Sequence, residues 1–407
     1  MKNKVLLLLA VAVLAGCADE SRDRYNVDIR WTSYGIPHVT ADDWGSLGYG
    51  FAYATATDGI CVFAREVSRS NGTMSVDFGA SDENVASDTF HRALVTADRA
   101  QKNAAAMSEN MKHYSAGFVA GYNRFIKDKR DNLPASCAGE EWVRPINAIE
   151  LGRMFIAFGI RYGTGNFMAG IAAATPPGEP VAALTLDYDI EPGIGSNAIA
   201  LGSDLTTSGK GVLFGNPHYP WQGPARFHMI HTTIPGELDT MGASLLAGNF
   251  IVIGFNRDVA WTHTVSTALR LTLFELELNP DNPMQYRFGD GYRDIEHVQV
   301  SVPLNDGSRE EDIYLTHFGP VLASDELPWT RTSAYAVRDA ILNNDAAFTS
   351  YEALQKATSV ADVEAAISEQ GVYFVNTIAA DREGKAFYAD ISATPYLDGD
   401  ILSLIHI

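Results

Sequence analysis

The sequence is short of basic residues, of cysteine and of long apolar runs. Its 407 residues carry 30 Lys and Arg against 50 Asp and Glu, so the formal net charge is −20. Nucleic-acid binding depends on neutralising phosphates with Lys and Arg, and no basic stripe is present, so that class of partner is excluded. Only three cysteines occur, with no histidine pair at ligand spacing near them. A metal site is therefore not expected. No other cofactor is expected either.

The N-terminus has the charge order of an export signal. Two lysines precede an apolar run over residues 5–16, which is too short to span a membrane. The run ends in Leu-Ala-Gly-Cys at Cys17, which resembles the lipobox of bacterial lipoproteins. We therefore expect a signal peptide over 1–17, lipid on Cys17, and a periplasmic body that Ala18 directs to the outer membrane. A plain signal peptide with a chance cysteine is the alternative.

The odd number of cysteines fits this interpretation. If Cys17 carries lipid, Cys61 and Cys137 remain as a pair. A disulfide persists in an oxidising compartment such as the periplasm. We predict that Cys61 and Cys137 form one, with two unrelated buried thiols as the alternative.

The pattern of apolar residues changes once along the chain. Residues 27–41 alternate like a strand broken by a turn, and the segments that follow space apolar residues at three and four, as helices do. Four prolines and several glycines then indicate a linker. Beyond Ser196, short apolar segments bounded by turn residues predict a large, mostly antiparallel sheet. The predicted organisation is a helix-rich region over 18–175, a spacer over 176–195 and a sheet-rich region after it.

Two glycine-rich stretches match known motifs only in part. GTGNFMAG (163–170) begins like a dinucleotide fingerprint, but Met168 replaces the third glycine and the stretch follows a helical segment. MGASLLAG (241–248) contains Gly-x-Ser, but Leu245 breaks the nucleophile-elbow pattern. We assign a function to neither stretch. Three histidines are interpreted as strand-face or core residues: His38, His228 and His231.

Ser196 lies where the helical pattern gives way to strands, directly after Gly195. An N-terminal nucleophile enzyme uses such a residue twice, because its hydroxyl attacks a carbonyl while its free α-amine acts as base. An α-amine has an ordinary pKa of about 7.7–8.0, so a useful fraction is neutral at physiological pH. The free amine exists only after the peptide bond before the serine has been cut. A glycine before the serine lets the hydroxyl reach the carbonyl group of that bond. Composition alone does not separate this bond from an ordinary loop.

Five motifs occur in order around Ser196: WTSYGIPHVTA (31–41), SNAIALGS (196–203), GNPHYPWQGPARFH (215–228), IPGELDTMGASLLAG (234–248) and GFNRDVAWTHTV (254–265). Together they resemble the penicillin acylase family, above all its branch of acyl-homoserine lactone acylases and cyclic-lipopeptide acylases such as aculeacin A acylase. The resemblance implies an α+β protein with the four-layer αββα N-terminal-nucleophile hydrolase fold, in which two stacked sheets lie between helices and a helix-rich small-chain region precedes the sheet core.

The resemblance also implies an activity. The chain would cut itself between Gly195 and Ser196, and its small and large chains would remain together as a heterodimer. The new N-terminal serine would hydrolyse small N-acyl amides, with acyl-homoserine lactones as the expected substrates. Removal of β-lactam side chains is the alternative, and a non-catalytic, lipid-anchored binding protein of the same fold is the second alternative.

Matching the motifs position by position implies the site residues. Ser196 matches the nucleophile, and His218 matches the histidine beside the nucleophile and its amine. Val265 matches the residue whose backbone N–H forms half of the oxyanion hole, where each donor is worth on the order of 3 kcal/mol. Tyr219 and Trp221, which follow His218 closely, are expected to line the substrate pocket.

Two features depart from the family pattern. The asparagine that completes the family's oxyanion hole would lie beyond the last residue, so we expect 196–401 to be the first part of a truncated large chain, inactive alone. Asn376 falls too early to match that asparagine and is interpreted as structural. The calcium-binding acids of several members are absent from 266–274, so calcium is not expected. Residues 402–407, LSLIHI, are expected to be a sequencing-adapter artefact.

Overall fold

The computed structural model describes residues 24–177, 195–268, 270–391 and 393–395. The predicted signal peptide with Cys17, nearly all of the predicted spacer and the predicted artefact over 402–407 lie outside the described residues. Within them, helices dominate before the spacer and strands dominate after it, as the periodicity predicts. The predicted α+β class is confirmed.

Most helices precede the spacer, and most strands follow it. The helices are α1 (Trp44–Asn71), α2 (Met74–Asp77), α3 (Asp82–Leu94), α4 (Ala97–Ala106), α5 (Glu109–Lys129), α6 (Ala148–Ile160), α7 (Met168–Ala172), α8 (Ala347–Lys356) and α9 (Val360–Ser368). The strands are β1 (Val27–Trp31), β2 (Pro37–Ala41), β3 (Gly195–Leu201), β4 (Val212–His218), β5 (Phe227–Ile234), β6 (Leu238–Leu245), β7 (Ile253–Phe255), β8 (Val259–Val265), β9 (Leu271–Asn279), β10 (Asn282–Phe288), β11 (Gly291–Asp294), β12 (Glu296–Leu304), β13 (Gly307–Leu315), β14 (Val321–Leu322), β15 (Ser333–Asp339), β16 (Val375–Asp381) and β17 (Ala386–Ala389).

An eight-stranded sheet forms the centre of the fold, in the order β1-β2-β5-β6-β7-β8-β16-β17. Its pairings are antiparallel except between β2 and β5, where His38 lies opposite His231 in a parallel ladder. Strands β1 and β2 come from the helix-rich region, whereas the other six follow Ser196. The two regions therefore share one sheet.

One face of this sheet is covered by helices. Helix α1 packs on β2 and β5, while α8 and α9 pack on β6 and β16. Asp43 is the N-cap of helix α1, and its side chain accepts a hydrogen bond from the Ser46 N–H. Glycines let α1 and α5 cross closely, since a Cβ on Gly117 would lie 1.8 Å from the Gly45 carbonyl oxygen. The main hydrophobic core fills the space between these helices and the sheet.

The hairpin β3–β4 lies across the opposite face of the sheet, against β8 and β16. Two backbone bonds attach it: the Gly211 N–H donates to the Asp381 carbonyl at 2.9 Å, and the Ser203 N–H to the Gly384 carbonyl at 2.8 Å. Gly215 allows the close approach, because a Cβ there would lie 2.6 Å from Thr262 Oγ1 on β8. The hairpin is thus a second layer of strands, stacked on the first sheet as the αββα architecture requires.

A smaller sheet forms a separate part of the fold, in the order β11-β10-β9-β15-β14, with the β12–β13 hairpin beside it. Its own core includes Leu276, Tyr286 and Trp329. A second apolar cluster joins it to the helices α3, α6 and α7. This part of the chain lies next to the sheet that carries the site but does not supply its central residues.

Two further features of the sequence can be located. Cys61 on α1 and Cys137 are joined by a disulfide, with their Cα atoms 5.6 Å apart. Both cysteines lie in the helix-rich region. Among the described helices, none combines the length and the apolar character that crossing a membrane requires.

Candidate functional site

The β3–β4 hairpin brings together three of the residues predicted from the sequence. Gly195 lies opposite His218 and Ser196 lies opposite Pro217 in its antiparallel ladder. The Ser196 hydroxyl donates to the Gly195 carbonyl, which belongs to the bond predicted to be cut. A Cβ on Gly195 would lie 3.6 Å from His218 Nδ1, so the imidazole stands beside that bond.

Asn216 sets the orientation of the His218 ring. Its side-chain Nδ2 lies 3.2 Å from His218 Nε2. An amide nitrogen can only donate, so Nε2 accepts and the neutral ring carries its proton on Nδ1. That proton is on the side of Gly195, where the ring is able to donate to an oxygen at the cleavage bond.

The Val265 backbone N–H, the predicted oxyanion donor, points away from β16, the strand that pairs with this part of β8. Val265 on β8 lies opposite Val375 on β16. The next residue, Ser266, donates its N–H to the Phe374 carbonyl at 3.1 Å. Hydrogen-bonded and non-hydrogen-bonded pairs alternate in antiparallel ladders, so the Val265 N–H points away from β16. On its other side β7 pairs only with Ala260 and Trp261. Neither neighbouring strand of the sheet therefore takes up the Val265 N–H.

Side chains on both sides of Val265 hold this strand end in place. Asn376 Nδ2 donates to the Val265 carbonyl at 3.1 Å and to Thr264 Oγ1 at 3.0 Å. The Ser266 hydroxyl lies 2.9 Å from both carboxylate oxygens of Asp390. The buried Arg270 donates to the Ser266 carbonyl at 2.6 Å. Asn376, interpreted as structural from the sequence, is thus positioned to brace the strand.

Ser196 and Val265 both line one cavity of about 60 Å³ beneath the hairpin. Its walls are mostly aromatic and aliphatic, and they come from the helix-rich region as well as from the sheet. Such a site suits an apolar group attached to a reacting carbonyl. The other lining residues are Phe158, Pro217, Tyr219, Phe227, Leu245, Val252, Ile253, His263, Thr264, Tyr351, Tyr373, Phe374 and Val375.

The cavity has little charge of its own. Burial lowers the pKa of His263 to about 4, so this lining histidine is neutral at pH 7. Its Nδ1 lies 3.2 Å from Thr377 Oγ1. Burial also raises the pKa of Tyr351 and of Tyr373 well above the usual range of a phenol, so both hydroxyls keep their protons. The pocket therefore presents neutral groups to whatever enters it.

The other residues singled out from the sequence lie in different parts of the structure. Tyr219 lines the cavity with its ring against Phe227. Trp221 is 90% exposed and does not line the cavity, so its predicted contact with substrate stays a prediction. His228 is buried in the core.

His38 and His231 contact each other across the β2–β5 ladder. Their Nδ1 atoms lie 2.8 Å apart, and His231 Nε2 lies 2.8 Å from Asp239 Oδ1. These contacts fit the strand-face role interpreted from the sequence. Within the described residues, no group of three or more His, Cys, Asp or Glu side chains is placed to hold a metal ion.

Sequence reasoning missed most of the cavity wall. Phe158 comes from α6, Tyr351 from α8, and Tyr373 from the turn before β16, so these residues are distant from Ser196 along the chain. Aromatic residues at such spacings look the same whether they fill a core or line a pocket. No local signal distinguishes them, because the pocket is created by contacts between segments.

Comparison with known proteins decides the family. A sequence model described as penicillin amidase matches residues 26–404. The chain belongs to the penicillin amidase family. Two curated relatives of this family member are the acyl-homoserine lactone acylase PvdQ of Pseudomonas putida, 37% identical over 402 residues, and the aculeacin-A acylase of Actinoplanes utahensis, 38% identical over 400 residues. The alignments cover 93% and 92% of this chain.

The matches to the curated relatives cover nearly all of this chain but only part of each relative. The chain spans about half the length of the curated relatives, since the alignments cover 52% of the first and 51% of the second. Among solved structures, the thermostable penicillin G acylase from Alcaligenes faecalis matches with a TM-score of 0.43 and 21% identity, over 48% of this chain and 35% of that one. The predicted family of this penicillin amidase homologue is confirmed.

Proposed function

We propose that this protein is an amide hydrolase that matures by cutting its own Gly195–Ser196 bond and then uses Ser196 as an N-terminal nucleophile. One observation supports the proposal above all others. The Ser196 hydroxyl is in contact with the Gly195 carbonyl, while the same side chain lines an apolar cavity shared with Val265. A serine in a plain linker has no reason to occupy both positions.

Maturation would begin with attack of Ser196 Oγ on the Gly195 carbonyl carbon. The Oγ–C bond forms, the C–N bond to Ser196 breaks, and the hydroxyl proton passes to the departing nitrogen. Water then hydrolyses the resulting ester, leaving a carboxylate on Gly195 and a free amine on Ser196. His218, whose ring stands beside this bond, would stabilise the developing charge on the carbonyl oxygen.

Hydrolysis of substrate would repeat the same chemistry on another amide. The free α-amine takes the proton of Oγ and passes it to the leaving amine, an acyl-serine ester forms, and water releases a carboxylic acid. The Val265 N–H, which neither neighbouring strand takes up, would donate to the oxyanion. Before the cut, the Ser196 nitrogen is an amide and cannot act as base, so turnover depends on maturation.

The substrate class is proposed from the relatives and from the cavity. Their names specify acyl-homoserine lactones and aculeacin A, and we propose the former as substrates here, with β-lactam side chains as the alternative. The mostly apolar lining of the cavity suits an acyl chain attached to the reacting carbonyl.

The position of the protein in the cell is also a proposal. The apolar run and the Leu-Ala-Gly-Cys sequence before Ala18 support export and a lipid on Cys17, with the body in the periplasm at the outer membrane. Mass spectrometry of the exported protein tests this directly. A mature N-terminus at Cys17 carrying acyl groups would support the lipid anchor, and cleavage elsewhere with an unmodified cysteine would refute it.

The replacement Ser196→Ala tests the activity. We expect the protein produced from its complete gene to yield a large chain beginning Ser-Asn-Ala-Ile, and the variant to remain uncut and without turnover. Ser208→Ala is a matched control, because that exposed serine lies in the turn of the same hairpin. An uncut protein that hydrolyses acyl amides would refute the mechanism. A cut protein that hydrolyses none of them would favour the non-catalytic binding alternative.

A further inference from the structure

Three tyrosines lie in the mostly apolar wall of the cavity at Ser196: Tyr219, Tyr351 and Tyr373. Their rings add apolar surface, but each also carries a hydroxyl that needs a hydrogen-bond partner when it is buried. The partners of these hydroxyls therefore indicate what else the cavity is built to hold.

The hydroxyl of Tyr373 already has a partner in the protein. It donates to the Asn344 backbone carbonyl at 3.1 Å. That bond directs the phenol toward the loop before α8. Tyr373 therefore contributes a ring edge to the cavity and a structural hydrogen bond behind it.

Tyr351 differs from Tyr373 in this respect. Within the described part of the chain, no residue is hydrogen-bonded to its hydroxyl, and the half-buried side chain lines the cavity. Its ring is held by stacking on Phe250, with centroids 5.3 Å apart and planes at 12°. Phe250 in turn packs against Phe348 on the same helix as Tyr351. The hydroxyl is thus a fixed donor.

We propose that Tyr351 is a specificity-determining residue, whose hydroxyl donates to an oxygen atom carried by the acyl chain of the substrate. The inference rests on the proposed function. A keto, hydroxyl or ether oxygen near the reacting carbonyl would meet the donor inside the cavity. An acyl chain of methylene groups alone would leave the donor without a partner.

The size of the effect follows from this difference. A site that hydrogen-bonds a polar group discriminates strongly against an analogue that lacks it, because the site's own polar group is then left unpaired. We expect kcat/KM to favour the oxygen-bearing chain by about 10-fold or more over an unsubstituted chain of equal length.

The test compares N-hexanoyl-homoserine lactone with its 3-oxo and 3-hydroxy counterparts, using the matured protein produced from its complete gene. In Tyr351→Phe the stacking on Phe250 is kept and only the oxygen is lost. The preference for the oxygen-bearing substrates, measured as the ratio of their kcat/KM to that of the hexanoyl substrate, should fall to near unity. An unchanged ratio, or no preference in the wild-type protein, would overturn the proposal.

Tyr373→Phe is the matched control, because its hydroxyl is already bonded to Asn344. It should lower the unfolding midpoint and leave the substrate ratio as in the wild type. A shift in the ratio equal to that of Tyr351→Phe would mean that cavity shape sets the preference, and would overturn the proposal. Absence of hydrolysis for all three substrates, with Ser196 exposed by cleavage, would instead count against the proposed function itself.

Discussion

Gly215 is the position where a single added methyl group should disturb the site most directly. A Cβ there would lie 2.6 Å from Thr262 Oγ1, 2.9 Å from Thr262 Cβ and 3.1 Å from Thr262 Cγ2. Carbon atoms pack best at about 3.5–4.0 Å, so Gly215→Ala would have to push the hairpin from the sheet by about 0.5–1 Å. Overpacking of this kind costs about 1–3 kcal/mol.

The displacement would act on the proposed self-cleavage as well as on stability. Gly215 lies opposite Ala198 in the β3–β4 ladder, two residues from Ser196. A misplacement of about 1 Å costs on the order of 100-fold in rate when reacting atoms are held in position. We therefore expect Gly215→Ala to slow cleavage at Gly195–Ser196 by a large factor.

Two measurements separate these effects. Urea unfolding is followed in a Ser196→Ala background, where every chain is uncut, and the rate of cleavage is followed by electrophoresis with Ser196 present. Gly291→Ala is the control, because a Cβ at that glycine meets nothing within 4 Å. Thr262→Ala should partly rescue Gly215→Ala, since it removes two of the three contacted atoms.

The outcome that contradicts this reasoning is specific. If Gly215→Ala unfolds at the same urea concentration as Gly291→Ala, the hairpin does not need the close approach to β8. If it unfolds earlier but is cut at the wild-type rate, the position of Ser196 does not depend on that approach. Rescue by Thr262→Ala should appear as a coupling energy of about 1 kcal/mol.

Two further predictions concern stability away from the site. Cys137→Ser should lower the free energy of unfolding by about 4 kcal/mol, because the disulfide to Cys61 closes a sequence separation of 76 residues; equal urea midpoints for oxidised wild type and variant would contradict this. Burial lowers the pKa of His91 to about 4 from 6.5. Its contribution to the free energy of unfolding is therefore full above pH 6.5 and is lost as the pH falls toward 4, because only the unfolded chain binds the proton readily in that range. Between pH 6.5 and 5 the loss is about 2 kcal/mol, and urea titrations should show a flatter pH profile in His91→Asn; the same slope in both proteins would refute the assignment.

Much of the fold was accessible from the sequence because most of its strands are bounded by clear turns. The short apolar segments that follow Ser196 form β3, β4, β5, β7, β8 and β9. The helical spacing of apolar residues before the spacer corresponds to α1, α5 and α6. Helices α8 and α9 were not predicted, although Ser359 caps α9 by accepting from the Asp362 N–H. The parallel β2–β5 pairing joins distant segments and has no local signal.

The candidate site also contains some residues that the sequence predicted and others that only the folded structure reveals. Gly195, Ser196, His218 and Val265 were named from motifs, and the structure brings the first three together in one hairpin and places Val265 in the same cavity as Ser196. Spacing alone did not identify Ser196, since a Gly-Ser pair before a strand is common. The family motifs supplied the distinction. Tyr351 could not be named, because its meaning depends on which hydroxyl lacks a partner in the folded chain.

The sheet shared between the two regions has a consequence for the protein once it is cut. Strand β2 would belong to the small chain and β5 to the large chain, and both contribute to one hydrophobic core. The disulfide lies within the small chain and would not link the two. Folding and association would then be a single equilibrium, so the apparent stability would rise with protein concentration. The uncut precursor would show no such dependence, and diluting the two forms side by side would tell them apart.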